Sequence, residues 1–458
     1  MNDKNLELKE IYKSAVDNHQ IGNSEIAENL YKKVLKKIPN HINTQTNLGA
    51  LYAQTGKKEE AKNVLQNVLQ IEPNNVSANA NLGIVFYQSA EYEKSVECHK
   101  KVLQIEPNNA DAYNNLAINY KQLGESELAR RYFYKAIKIN PKHINAYNNL
   151  GTLLGTLGEY EKAIETLKKA LELLPNFLKA QTNIAVIYLN QQKHTEKAIT
   201  ASYKALRLHH NLSKINNKKL PLYRLKHDVE QAEYLKSKKY KINGLDEFNE
   251  IGKEILNRKE NKENKNDFYK QILLKDNEIK SLLPFYKAEH IYNASIPPEG
   301  CINPHKDWSK VENDYLNSAK QIIYIDDFLS EGTIKELREF CLTSKVWIHQ
   351  HDNKYLGAYA DSGFISPLHL QIGTELQKKL PKLFGKYNIG KFWGYKYDTA
   401  LGGGIGMHAD FAYLNLNFWI TPDEYNNDKN RGGLKVYDVP APDNWSFEKY
   451  NIESKEIY

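Results

Sequence analysis

The sequence predicts a multidomain α + β chain: an all-α solenoid of repeats over residues 8–212, a capping helix and charged spacer over 213–319, and a β-rich domain over 320–458. Three observations predict it. A 34-residue period runs through the first part, it is lost after Leu212, and after about Lys320 apolar residues gather into short runs and alternate at strand spacing. A chain of 458 residues also exceeds what one hydrophobic core organises, which excludes a one-domain reading.

The period is carried by Pro39, Pro73, Pro107, Pro141 and Pro175, each 34 residues apart. Gly49, Gly83, Ala117, Gly151 and Ala185 hold a second column, and Ala27, Ala61, Ser95, Ala129 and Ala163 a third. Small residues at helical spacing let two helices approach closely, and Pro ends a helix because it cannot donate to the hydrogen-bond ladder. This pattern resembles the tetratricopeptide repeat (TPR), which implies helix–turn–helix units stacked into a superhelix. Six units fit between Leu8 and Asn211, the last longer by one residue because Ala198 falls 35 after Ala163. The first keeps Ala15 and Ala27 but is looser, as a capping repeat should be.

Asn47, Asn81, Asn115, Asn149 and Asn183 each precede the small residue of the first helix by two, on the face expected to be concave. A side-chain amide both donates and accepts, so a row of them suits an extended peptide backbone. The row resembles the asparagine ladder in the superhelical repeats of O-linked N-acetylglucosamine transferase, which implies a peptide or protein partner. General Asn richness of the chain is the competing explanation. No alternating strand–helix pattern follows that would build a sugar-nucleotide domain, so a glycosyltransferase is excluded.

From Leu212 to about Lys320 the segment 223–233 reads as a helix packing on the last repeat, and 259–267 contains only Lys, Glu, Asn and Asp. The expectation is a helical or partly disordered spacer, ended by the break Ile296-Pro297-Pro298-Glu299-Gly300.

Beyond it, Ile322 to Ile325 reads as a strand, followed by Asp326, Asp327, Phe328 and Leu329, with Ser330 capping a helix through Cys341. Strands are expected at Phe392–Tyr397 and at Tyr413–Thr421, where Leu414, Leu416 and Phe418 alternate with Asn415 and Asn417. The loop Gly402–Gly406 lacks a following GK[ST], so it is no nucleotide site. In His408-Ala409-Asp410, placed on a strand, the imidazole and the carboxylate share a face. Such a pair supplies two legs of a 2-His-1-carboxylate iron site. After it come Thr421-Pro422-Asp423, a polar loop, Gly432-Gly433 and the strand Leu434–Tyr437.

That order resembles the prolyl-4-hydroxylase-like Fe(II)/2-oxoglutarate-dependent oxygenases, whose fold is a double-stranded β-helix (jelly-roll). The resemblance implies that His408 and Asp410 hold Fe(II), that Tyr397, or alternatively Tyr395, touches 2-oxoglutarate, and that a peptide or protein recruited by the repeats is hydroxylated. Both tyrosines also fit a plain barrel-wall role. His349-Gln350-His351, placed in a polar loop, is set aside as a ligand site. No His follows His408 and the one later Arg is Arg431, so the family's third ligand and cationic anchor are missing and the jelly-roll is partial. The expectation is a C-terminally incomplete copy of an active oxygenase, with a natural remnant as the second reading. Whether the chain is an enzyme therefore stays open, and a non-catalytic TPR scaffold is the alternative.

Charged residues make up 26% of the chain, the mean hydropathy is -0.66, and no apolar run approaches the roughly 20 residues of a membrane span. No signal peptide opens the sequence, so a soluble, cytoplasmic protein is expected. Cys98, Cys301 and Cys341 are too sparse for a disulfide framework or a CxxC metal pair. The 63 Lys+Arg against 56 Asp+Glu are interleaved with no basic stripe, which argues against nucleic acid as a partner.

Overall fold

The computed structural model describes residues 2–191, 195–212, 218–258, 271–318, 323, 325–351, 356–387, 391–396, 417 and 420. They form two compact units, Met1–Ala180 and Gln181–Tyr458.

In the first unit every repeat after the first begins at a cap. His41, Asn75, Asn109 and His143 each accept a hydrogen bond from the backbone N–H three residues on, two residues after the periodic prolines. The helix pairs are α1 (Asn2–Gln20) with α2 (Ser24–Lys37), α3 (Ile42–Gln54) with α4 (Lys58–Ile71), α5 (Val76–Gln88) with α6 (Tyr92–Ile105), α7 (Ala110–Gln122) with α8 (Ser126–Ile139), and α9 (Ile144–Thr156) with α10 (Tyr160–Leu173). Ala27, Ala61, Ala129 and Ala163 are fully buried, as their column requires. Ser95 takes the same place and donates to Gly83 O at 2.7 Å. A sixth pair, α11 (Leu178–Asn190) and α12 (Thr195–Leu212), completes the predicted number and, apart from the first turn of α11, lies in the second unit.

Two columns deviate in the third repeat. The turn between the paired helices needs a left-handed residue, filled by Gly22, Gly56, Gly124 and Gly158 at φ 78 to 82°, but by Ala90 at φ 58°. A Cβ in that region costs about 1 kcal/mol relative to Gly. Where the other second helices place Leu65, Phe133 and Leu167, α6 places His99, 1% exposed, its Nδ1 without a partner. It fits because Gly83 faces it: a Cβ there would lie 2.7 Å from His99 Nε2. Burial pushes the His99 imidazole down to about 4, so it is neutral in the fold.

In the second unit, β1 (Lys219–Pro221) pairs antiparallel with β2 (Gln271–Leu273). Around them α13 (Leu222–Ser237), α14 (Leu245–Leu256) and α15 (Asp276–Lys287) close a core of Leu225, Phe248, Ile255, Leu282 and Phe285. Where the sequence reading offered a capping helix and spacer, the described residues are thus packed helices, and α13 lies on α14 and α17 (Glu331–Thr343). The charged run 259–267 lies outside the described residues. A second core, with Cys301, Ile302, Phe340, Val346, Leu356 and Ala358, unites α16 (Trp308–Asn317), α17, β3 (His349–Gln350), β4 (Leu356–Tyr359), α18 (Pro367–Lys379), α19 (Pro381–Phe384) and β5 (Trp393–Lys396). The sheet runs β3-β4-β5, antiparallel throughout.

Ser330 caps α17 by accepting from Thr333 N, and β5 falls inside the predicted strand Phe392–Tyr397. The strand expected at Ile322–Ile325 is corrected at its described residues: Ile323 and Ile325 are irregular, and the nearest pairing is a lone bridge between Ile302 and Leu329. Among the described residues the region after Lys320 is mostly helical with one three-stranded sheet, and no jelly-roll is formed by them. The strands expected at Tyr413–Thr421 and Leu434–Tyr437 lie, but for Asn417 and Ile420, outside the described residues.

Polar groups fasten the second unit internally. Arg224 Nε donates to Asp228 Oδ2 at 2.6 Å, Tyr286 OH donates to the same oxygen at 2.9 Å, and Arg224 also donates to Trp347 O. Lys345 donates to Ala288 O at 2.6 Å and to Phe285 O at the end of α15, and burial pushes its ammonium down to about 7. In α12, Ser202 Oγ donates to Ala360 O at 2.6 Å and accepts from Gly363 N at 2.8 Å, while Tyr203 OH donates to Ile365 O at 2.9 Å.

Two outcomes are expected. Ala90→Gly raises stability by about 1 kcal/mol, read as a higher urea midpoint, because it removes a left-handed Cβ. The folded pKa of His99 lies below its unfolded value, so its contribution is complete above pH 6.5 and is lost as pH falls toward 4. The stability gain of His99→Leu over the parent should therefore grow by about 3 kcal/mol between pH 7 and pH 4. A pH-independent gain would show that His99 is not held neutral.

Candidate functional site

Successive first helices pack on one another, α1 on α3, α3 on α5, α5 on α7 and α7 on α9. Close approach on that side makes it the inner side of the stack. Residues at i, i+4, i+7 and i+11 of a helix form one stripe, and on α3 that stripe reads Asn43, Asn47, Ala50 and Gln54. Asn47, Asn81, Asn115 and Asn149 are all half-buried on it.

Their partners differ. Asn47 Nδ2 donates to Tyr12 OH at 3.0 Å. Asn149 Nδ2 donates to Asn114 Oδ1 at 3.0 Å, and Asn114 Nδ2 donates to Asn115 Oδ1 at 3.2 Å. This head-to-tail relay orients the Asn115 amide and leaves its NH2 for an outside acceptor. Asn81 has no hydrogen-bond partner among the described residues. Asn183, on α11, is half-buried within the second unit.

A further amide column escaped the sequence reading although it keeps the same period: Gln54, Gln88 and Gln122, at the end of each stripe, continued by Thr156 and Asn190. Gln54 Oε1 meets His19 Nε2 at 3.0 Å and Gln122 Nε2 donates to Tyr87 OH at 3.0 Å, bonds that link neighbouring repeats.

The second candidate lies on the three-stranded sheet. Register puts His349, Gly357 and Tyr395 side by side across β3, β4 and β5, with Tyr359 opposite Trp393. His349-Gln350 is thus a paired strand, not the polar loop expected. Gly357 leaves room for an imidazole, since a Cβ there would lie 2.8 Å from His351 Nε2. That nitrogen meets Tyr359 OH at 3.0 Å, and the His351 and Tyr395 rings pack edge to face with centroids 6.0 Å apart. His349 Nε2 meets Ser362 Oγ at 2.9 Å, and burial, reinforced by His209, pushes His349 down to about 4. The structure thereby joins Tyr395 to a His/Tyr cluster that the sequence left scattered.

Among the described residues no group of three or more His, Cys, Asp or Glu is arranged to hold a metal ion. His408, Asp410 and Tyr397 lie outside the described residues. Among the described residues no helix is long and apolar enough to cross a membrane.

Asn149→Ala is expected to lower stability by about 1 kcal/mol by stranding Asn114 Oδ1. Asn81→Ala should change it by less than about 0.5 kcal/mol. Urea midpoints check both, and equal effects would contradict the assigned bonding.

Three family models match the chain: the tetratricopeptide repeat over 109–176, a second tetratricopeptide repeat model over 148–209, and the cilia and flagella-associated protein 70 middle TPR-like domain over 13–140. No curated protein matches. Among solved structures, a crystal structure of MamA is 27% identical, covering 36% of this chain and 91% of that chain, with TM-score 0.32. A thermophilic TPR protein from Thermus thermophilus is 19% identical, covering 40% of this chain and 99% of that one, with TM-score 0.37. YrrB, described as a TPR protein with an unusual peptide-binding site, is 21% identical, covering 39% of this chain and 91% of that one, with TM-score 0.31. The periodic columns, the helix pairs they build and the family models agree: residues 13–209 carry tetratricopeptide repeats.

Proposed function

We propose that this chain is a protein-interaction scaffold whose inner repeat face grips an extended polypeptide segment. The observation that carries the reading is the amide ladder: Asn81 and the NH2 of Asn115 stand unsatisfied on the inner side of a stack of tetratricopeptide repeats. An unpaired amide offers both a donor and an acceptor to a passing main chain. In this reading residues 8–212 recruit, 213–319 connect, and 320–458 supply whatever acts on the recruited protein. The unpaired Cys98, Cys301 and Cys341 fit a reducing, cytoplasmic setting.

A second reading, a dioxygenase hydroxylating the recruited protein, is favoured by one observation, the spacing His408-Ala409-Asp410. In it His408 and Asp410 would hold Fe(II), and Tyr397 or Tyr395 would orient 2-oxoglutarate. When bound, that pair supplies oxidative hydroxylation chemistry. His408 and Asp410 supply two of the three legs such a site requires.

The scaffold reading expects Asn81→Ala/Asn115→Ala to weaken peptide binding about tenfold with the chain still folded, as the Asn81 amide and the Asn115 NH2 are removed, while the stranded Asn114 Nδ2 costs about 1 kcal/mol of stability. Fluorescence anisotropy with labelled peptides, alongside circular dichroism, checks this. Succinate release that depends on Fe(II), 2-oxoglutarate and oxygen, and that His408→Ala abolishes, would make the dioxygenase reading the correct one.

A further inference from the structure

In repeats two to five charge is divided between the two helices. α3, α5 and α9 contain no Asp, Glu, Lys or Arg at all, and α7 contains only Asp111 and Lys121. Asp111 lies 3.2 Å from His143 Nε2, and burial pushes the Lys121 ammonium below its ordinary value. The second helices hold the opposite composition: α4 opens with Lys58, Glu59 and Glu60, and α6, α8 and α10 are likewise studded with acids and bases. Ion pairs between repeats, Lys57 with Glu28 and Lys62 with Glu91, both at 2.7 Å, also use residues from the second helices or the turns before them.

The inner stripe accordingly offers amides, hydroxyls and aliphatic carbon, with one exposed carboxylate, Asp111, at the start of α7. Its aliphatic part is concentrated at Ile84 and Ile118, one repeat apart in the same register on the neighbouring helices α5 and α7. Ile84 is 37% exposed, between the amides of Asn81 and Gln88. An ionised side chain laid on the stripe at Ile84 and Ile118 loses water and gains no counter-charge, Asp111 standing two turns from Ile118. Main-chain amides and an aliphatic side chain lose nothing comparable, because the amides are matched and the apolar contact is favourable.

Resting on the peptide-gripping reading above, we propose that the inner face of repeats two to five selects an uncharged, extended polypeptide segment that seats one aliphatic side chain against Ile84 and Ile118. Recognition uses no ion pairs. It is therefore insensitive to salt, unlike recognition by lysine- or arginine-lined grooves.

The test uses the full chain and a synthetic peptide set in three charge classes, uncharged, acidic and basic, each with and without a central leucine. Anisotropy is read at about 50 and about 500 mM NaCl, which spans a severalfold change in Debye length. The expected result is that uncharged, leucine-bearing peptides bind best, with Kd changing less than about twofold across that range. Ile84→Ser should weaken them about tenfold, the loss of one buried aliphatic contact. Ile84→Lys/Ile118→Lys should transfer preference to the acidic class and make binding fall with salt. If acidic or basic peptides bind the parent best and are released by salt, the inference is overturned while peptide gripping stands. If no class binds a chain that circular dichroism shows folded, both are overturned.

Discussion

In the second, third and fifth repeats the two helices must meet almost backbone to side chain, and the arrangement of the first unit follows from that approach. Gly49, Gly83 and Gly151 have no Cβ where Leu65, His99 and Leu167 press in, and an added Cβ would lie 2.6 to 2.7 Å from them. Contact this close fixes the rotation of the first helix about its axis. Once the Gly side is turned toward the second helix, the Asn and Gln stripe has to face the other way, toward the next repeat and the interior of the curve. The amide ladder is in this sense a by-product of a packing requirement, later available for binding.

What could be read in the sequence was whatever a local contact repeats. Pro39 and its successors, the buried alanines and the asparagines recur every 34 residues because each repeat solves the same packing problem against its neighbour. The turn glycines and the column beginning at Gln54 were equally present and needed only the same register. The helices α13 to α15 were not legible as a packed layer, because their core joins Leu220 to Phe285 across 65 residues with no period to announce it. At Ile323 and Ile325, both partly buried and irregular, the expected strand failed for a different reason: adjacent apolar residues satisfy a strand and an irregular segment alike. His349 and Tyr395 became neighbours only through the register of β3, β4 and β5, a long-range pairing absent from local sequence.

The second unit rests on buried polar closure where the first rests on repetition. Arg224, Asp228 and Tyr286 satisfy one another, and Lys345 donates its protons to the last carbonyls of α15. Removing charges from water costs several kcal/mol each unless the partners are complete. These groups make a small set of elements mutually dependent: α13, α15 and the segment from Lys345 to Trp347 hold their places together.

The seating of Ser202 and Tyr203 on residues 360–365 bears on how such a chain can change over evolutionary time. Interior repeats meet only their neighbours, so duplicating or deleting one preserves every type of contact the stack contains. Within the second unit the last helix meets both Gln181 of α11 and residues 360–365. Its sequence answers both to the repeat pattern and to a unique surface, visible as Ser202 and the residue inserted before Ala198. Duplicating or deleting the terminal pair would break the hydrogen bonds that Ser202 and Tyr203 make with residues 360–365, a cost that no interior repeat carries.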